Sequence, residues 1–152
     1  MTATEIRAEP ADSPDAIGCV RAYFAELAAR FEGGFDPGSK GFAGGPEAGE
    51  FFLARRHGRV VGCGALRALE PGLYEIKRMW VAPEARGAGV GKALLAFLED
   101  RARARGAVRL VLDTNKSLAE ARTLYARAGY REIARYNDNP YADFWFEKRL
   151  SA

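Results

Sequence analysis

Glu75-Ile-Lys-Arg-Met-Trp-Val-Ala-Pro-Glu-Ala-Arg-Gly-Ala-Gly-Val-Gly-Lys92 reads as a strand that stops at a proline, a glycine-rich turn and the first turn of an amphipathic helix. Arg86, Gly87, Ala88, Gly89, Val90, Gly91 and Lys92 place two cations and bare backbone at a helix N-terminus. Unpaired N–H groups and the helix dipole, about half a positive charge, converge there on an anion. A phosphate or pyrophosphate is the guest this arrangement suits.

Upstream, Thr4 to Glu9 is expected as a first strand, and Ser13-Pro14 as a helix start with an N-cap hydroxyl and proline at N1. Ile17, Val20, Phe24, Leu27, Ala28 and Phe31 follow helical spacing until Gly33-Gly34. Glycine and proline dominate from Gly33 to Gly49, the signature of a binding loop or lid. Glu50 to Arg56 and Arg59 to Leu69 form a hairpin across His57-Gly58, and Leu73 to Val81 is the next strand. Within it, alternation puts Glu75, Lys77, Met79 and Val81 on one face and Ile76, Arg78 and Trp80 on the other.

Downstream, Val90, Leu94, Phe97, Leu98 and Ala102 mark a helix face that closes at Gly106, followed by an apolar strand from Val108 to Leu112. Ser117-Leu-Ala-Glu120 reads as a capping box opening a helix with Leu118, Ala121, Leu124, Tyr125 and Ala128 inward. Tyr130 to Arg135 and Asp143 to Leu150 are the last strands, separated by the turn-rich Tyr136-Asn-Asp-Asn-Pro140. The expectation is one mixed α/β domain over residues 1–152.

Composition narrows the class. A chain of 152 residues with 48% hydrophobic and 28% charged residues is ordinary globular stock. Its net charge of +3 is spread without a basic block or aromatic platform, so no nucleic-acid partner is expected. No window approaches ~18 apolar residues, and the first residues lack the basic start and apolar run of secretory type. A reduced, cytoplasmic protein without a membrane partner follows as the expectation. Cys19 and Cys63 lack metal or redox spacing, and His57 is the only histidine, so no metal site is expected.

Two common phosphate binders fail on residue identity. A Walker-type loop needs glycine where Arg86 stands and Ser or Thr where Ala93 stands. A dinucleotide fingerprint needs its third glycine where Lys92 stands. What remains is Arg-x-x-Gly-x-Gly after Val81-Ala-Pro83, then Asn115, then Ala121-x-x-Leu-Tyr-x-x-x-Gly-Tyr130. In these landmarks and their order, from about Glu50 to Leu150, the chain resembles the GNAT superfamily of acyl-CoA-dependent N-acetyltransferases.

That resemblance implies a central twisted mixed sheet of six to seven strands, splayed between strands 4 and 5 and flanked by about four helices. Acetyl-CoA, the implied cosubstrate, would occupy the cleft with its pyrophosphate on the amides of Gly87 to Lys92. Backbone at Met79, Trp80 and Val81 would pair with the pantetheine arm, and the Met79 amide would polarise the thioester carbonyl. Tyr125 would donate a proton to the departing sulfur, and Asn115 would contact either the pantetheine or the following loop. Glu75 has two readings: a general base for the amine, or a carboxylate held by neighbouring Lys and Arg.

The implied reaction is acetyl transfer to a primary amine in a ternary complex, without a covalent acyl-enzyme. A non-catalytic acyl-CoA sensor and an acetyltransferase for protein N-termini or lysines are the rival readings. The acceptor itself is not legible, although Asp36, Glu47, Glu50 and Asp138 would suit a cationic amine. A homodimer is left open, because the strand with Trp145-Phe146 reads either as core or as an edge that pairs between chains.

Overall fold

Along the chain run β1 (Glu5–Ala8), α1 (Pro14–Arg30), β2 (Glu50–Arg56), β3 (Arg59–Glu70), β4 (Leu73–Val81), a 3-10 turn (Pro83–Ala85), α2 (Val90–Ala104), β5 (Arg109–Thr114), α3 (Ala119–Arg127), β6 (Arg131–Ile133) and β7 (Phe144–Arg149). The structure is a computed structural model and describes residues 3–36 and 49–150. Most of the Gly33–Gly49 loop, with Glu47, therefore lies outside the described residues. All seven strands join one sheet in the order β1-β2-β3-β4-β5-β7-β6.

The hairpin between β2 and β3 forms for the reason its sequence gives. His57 and Gly58 take φ of 51° and 76°, the left-handed pair that matches strand twist in a two-residue turn. On one face of the sheet, Phe51, Leu53, Cys63 and Ala65 pack against Ala16 and Cys19 of α1. On the other, Phe52, Leu66 and Ile76 meet Leu94, Leu95 and Leu98 of α2. Burying each of those leucines is worth ~1.5–3 kcal/mol, so α2 is the principal clamp on the sheet.

Packing corrects two expectations and decides a third that was left open. Ile17 is 40% exposed, and α1 instead buries Ala16, Cys19 and Leu27, because β2 and β3 meet its small-residue side. The capping box does not form: α3 starts at Ala119 with Leu118 at the N-cap position and no side-chain cap. Asn115 Oδ1 has taken the Ser117 amide at 2.8 Å, and Arg30 on α1 holds the Glu120 carboxylate at 3.0 Å. The strand with Trp145 and Phe146 is no edge, since β7 lies between β5 and β6 and both residues are buried.

A further correction shapes the site. Between the pairs Cys63↔Trp80 and Ala65↔Lys77, β4 carries one residue more than β3. Arg78 absorbs this bulge at φ 53°, a left-handed conformation rare for a residue with a side chain. Beyond it the alternation inverts. Met79 packs beside Ile76 in the cluster around α2, while Trp80 packs into the α1 cluster.

The sheet is mixed, and its one parallel junction is short. β4 and β5 pair only at Leu73↔Arg109, Tyr74↔Leu110 and Glu75↔Val111. Past Glu75 the strands part, so the last two-thirds of β4 has no partner on its β5 side. Among the described residues no helix is long and apolar enough to cross a membrane.

Candidate active site

The parting of β4 from β5 opens a cleft of about 730 Å³, walled by β4, the glycine turn, α2 and α3. That volume lies in the range of small-molecule and cofactor sites. Met79, Trp80, Val81, Arg86, Gly87, Gly89, Val90, Gly91, Lys92 and Tyr125 all line it. The two halves of the sequence signature, forty residues apart in places, thus face one space.

Gly87 and Gly89 adopt φ of 84° and 82°, and a β-carbon at either would meet nothing within 4 Å. These glycines are required by backbone conformation, and the open space in front leaves their N–H groups accessible. Gly89 caps α2 without a side chain, so the first-turn amides of α2 stay free for an anion. Gly91 is needed for contact instead: a β-carbon there would sit 3.3 Å from Leu124 Cδ2 of α3 and 3.6 Å from Val81 Cγ2.

Arg86 is tied to the protein. Its Nε donates to the Val81 carbonyl at 3.1 Å, and its Nη2 to both Glu26 oxygens at 2.7 and 2.8 Å. Trp80 donates its indole N–H to the same carboxylate at 2.9 Å. Burial opposes the charge on Glu26, but the bonds from Trp80, Arg86 and Arg30 outweigh it and hold the carboxyl below its usual range. Glu26 is thereby a brace between α1 and the glycine turn, poorly suited to accept a proton.

Tyr125 is 5% exposed and packs against Tyr130 and Phe146, with ring centroids 5.9 and 6.2 Å away. Burial, and then the charge of Asp113, push its hydroxyl pKa up. It therefore remains a neutral phenol and a donor at any physiological pH.

A second, smaller cavity of about 60 Å³ lies beyond Tyr125. Tyr23, Leu27, Met79, Leu118, Ala121 and Tyr125 line both spaces and form the partition between them. Its far wall includes Asn139 of the turn after β6, and Arg78, Asp113 and Tyr141, which the sequence did not single out as site residues. Tyr23 could have been found from spacing, since it precedes Leu27 by four on α1. Arg78 could not, because alternation placed it on the wrong face.

Asn115 lines this smaller cavity rather than the cleft. Its Nδ2 donates to the Tyr141 carbonyl at 2.7 Å and its Oδ1 accepts the Ser117 amide, so both ends serve the loops around it. Glu75 lines neither space and is 1% exposed. Its Oε2 accepts the Tyr136 hydroxyl at 2.6 Å and the Asn137 amide at 3.2 Å. Arg67 and Lys77 approach its Oε1 at 3.4 and 3.9 Å. Asn137 and Asn139 in turn donate to Asp113 at 2.6 and 3.0 Å, so one buried polar network fixes the 136–141 loop over the smaller cavity.

Of the carboxylates expected to attract a cationic acceptor, Glu50 is committed elsewhere. Arg105 at the end of α2 takes both its oxygens at 2.9 and 2.8 Å. Cys19 and Cys63 are buried and line neither space. Cys63 donates to the carbonyl of Arg78 at 3.1 Å, which pins the bulge.

Comparison with known proteins agrees with this architecture. Residues 13–130 match the Acetyltransferase (GNAT) family. An IAA acetyltransferase of Azospirillum brasilense is 46% identical over 104 residues, covering 66% of this chain and 67% of that protein. A Klebsiella pneumoniae structure whose name places it with the acyl-CoA N-acyltransferases superposes with a TM-score of 0.80 at 28% identity, over 97% of this chain and 98% of that one. A GNAT family acetyltransferase from Elizabethkingia anophelis, solved with acetyl-CoA bound, shares the fold with a TM-score of 0.72 at 20% identity, over 97% and 98% of the two chains. With the splayed sheet, the glycine turn and the family match in agreement, this chain belongs to the GNAT family and is an acetyltransferase.

Proposed function

We propose that the chain transfers the acetyl group of acetyl-CoA to a primary amine by direct attack in a ternary complex. One observation carries this reading: the glycine-capped start of α2, the unpartnered stretch of β4 and Tyr125 all border one cleft of about 730 Å³. When bound, acetyl-CoA supplies an activated acetyl thioester.

The chain's own residues hold and orient. Amides of residues 87–92, with Lys92 beside them, suit the pyrophosphate. The backbone from Met79 to Val81, past the last β5 pair at Glu75 and with the Val81 carbonyl already accepting from Arg86, suits the pantetheine arm. The Met79 amide would receive charge from the thioester carbonyl oxygen, an oxyanion contact. Tyr125, kept neutral by burial, donates to the departing sulfur. The burial of Cys19 and Cys63 away from both spaces favours direct transfer over a covalent relay.

Glu75 enters as a positioning residue. Its bonds to Tyr136 and Asn137 support the loop that walls the smaller cavity, and it lines neither space. No base is then assigned: the acceptor reacts as the neutral amine, its C–N bond forms as the C–S bond breaks, and the proton its nitrogen sheds passes through solvent and restores the Tyr125 phenol. A lysine-type amine has a pKa of ~10.4 and an α-amine ~7.7–8.0, so turnover rises with pH towards the acceptor's own pKa.

The test is thiol release from acetyl-CoA with a panel of amines, alongside calorimetric CoA binding. Tyr125→Phe should lower kcat by ~10²–10⁴-fold with CoA affinity unchanged. Tight CoA binding without thiol release for any amine or peptide would favour the sensor reading instead.

A further inference from the structure

We propose that the acceptor is an amine carrying an anionic group, a carboxylate or a phosphonate, and that Arg78 is the residue that reads it. This rests on the acetyl-transfer reading and names the substrate class it leaves open.

Arg78 occupies an unusual position. Its backbone is held at φ 53° in the bulge of β4, with its carbonyl accepting the Cys63 thiol at 3.1 Å. Arginine here forfeits the conformational ease that glycine would give. The side chain lines the smaller cavity, and its guanidinium lies over the Phe24 ring at 5.3 Å. Its Nε is buried without a hydrogen-bond partner.

Several other partly buried arginines are matched to carboxylates, whereas Arg122, which also has a buried Nε without a partner, lies over the Phe144 ring at 4.5 Å and lines neither space. Arg30 and Arg86 hold Glu26 at 3.0 and 2.7 Å, Arg55 holds Asp15 at 2.8 Å, and Arg109 holds Glu147 at 2.5 Å. Arg78 forms no ion pair with any described residue. Asp113 shares the cavity, but its two oxygens are bonded to Asn137 and Asn139. Lys77, the other cation on this wall, already lies 3.9 Å from Glu75. A half-buried cation without a counter-ion is unfavourable, and a ligand that supplies the anion removes that penalty.

The location selects which ligand. The cavity meets the cleft at Met79 and Tyr125, where the acetyl group and the attacking nitrogen must come together. An amine there projects its remaining atoms towards Arg78. The guanidinium fork matches carboxylate and phosphonate oxygens in pairs, and neither a bare alkylamine nor a polyamine offers that match. A volume of about 60 Å³ restricts the group to a few atoms from the amine.

Thiol release is measured with matched pairs: glycine against methylamine, β-alanine against ethylamine, and 2-aminoethylphosphonate against ethylamine. The anionic member should show kcat/KM ~30–1,000-fold above its partner, the range for a buried charge pair. Arg78→Met should bring each pair close to equality by raising KM, with CoA affinity unchanged. Arg78→Lys, which keeps the charge but not the fork, should restore part of the preference and controls for folding. The carboxylate and phosphonate arms show which anion the cavity takes.

Equal or better turnover of the uncharged amines overturns the inference and leaves acetyl transfer standing, as does a preference that survives Arg78→Met. Absence of thiol release with every amine sinks the transfer reading. In that case calorimetry of the same compounds against CoA-saturated protein decides the role of Arg78, and binding that is absent or unchanged in Arg78→Met rejects it.

Discussion

A β-carbon at position 89 would meet no protein atom, yet Gly89 cannot be replaced freely, because its φ of 82° belongs to the left-handed region. Gly89→Ala should destabilise the fold by ~1–2 kcal/mol, read as a lower denaturant midpoint, and weaken CoA binding by disturbing the first amides of α2. Glu75 carries a different kind of residue-level test. Glu75→Gln keeps an acceptor for Tyr136 but loses the charge near Arg67 and Lys77. If Glu75 positions the loop, kcat/KM should fall modestly while the shape of its pH profile is unchanged. Loss of an ionisation between pH 5 and 8 in the variant would restore the base reading. Both positions were visible in the sequence as types, Gly for backbone and Glu for charge. That Glu75 is buried under the 136–141 loop depends on residues sixty positions away, which no local pattern could show.

Among the elements, β7 is the seam of the second half-sheet. Glu147 on β7 stands opposite Val111 of β5 and Arg131 of β6, and its carboxylate is clasped by Arg109 at 2.5 Å and by Arg131 at 2.6 Å. The bond from Arg109, followed by that from Arg131, holds its pKa below the ordinary carboxylate value despite burial. The sign follows from linkage: a depressed native pKa stabilises the fold fully above the unfolded value of ~4.3 and is lost as pH falls through the native one. Glu147→Gln should therefore destabilise the protein at pH 7 and flatten the acid limb of its stability–pH curve. An unchanged acid limb would mean the pairs contribute nothing. At this scale the sequence was read well where a single physical rule governed. Ser13 caps α1 by accepting the Ala16 amide at 3.0 Å, as its spacing predicts. It was read poorly where two elements compete for one group, as Arg30 does for Glu120 at the start of α3.

At the scale of the molecule, two half-sheets meet at only three parallel pairs, Leu73–Glu75 with Arg109–Val111, and the cleft opens beyond them. A cofactor bound along the free edge of β4, as proposed, would bridge what the sheet leaves apart. Saturation with CoA at a hundredfold excess over Kd should stabilise the native state by ~2.7 kcal/mol and raise Tm by several degrees. Amide exchange should slow at residues 76–81, and unaltered exchange there would place the cofactor elsewhere. The order of elements, the hairpin at His57-Gly58, the glycine-capped start of α2 and the family itself were determined by the sequence, since each rests on neighbours within a turn, a pleat or a cap. Tertiary structure alone decided the inverted face beyond Arg78, the burial of Glu75 and the second cavity. These arise where strands of unequal length must share one register and where loops distant in sequence close over the gap, a constraint that exists only once the whole sheet is assembled.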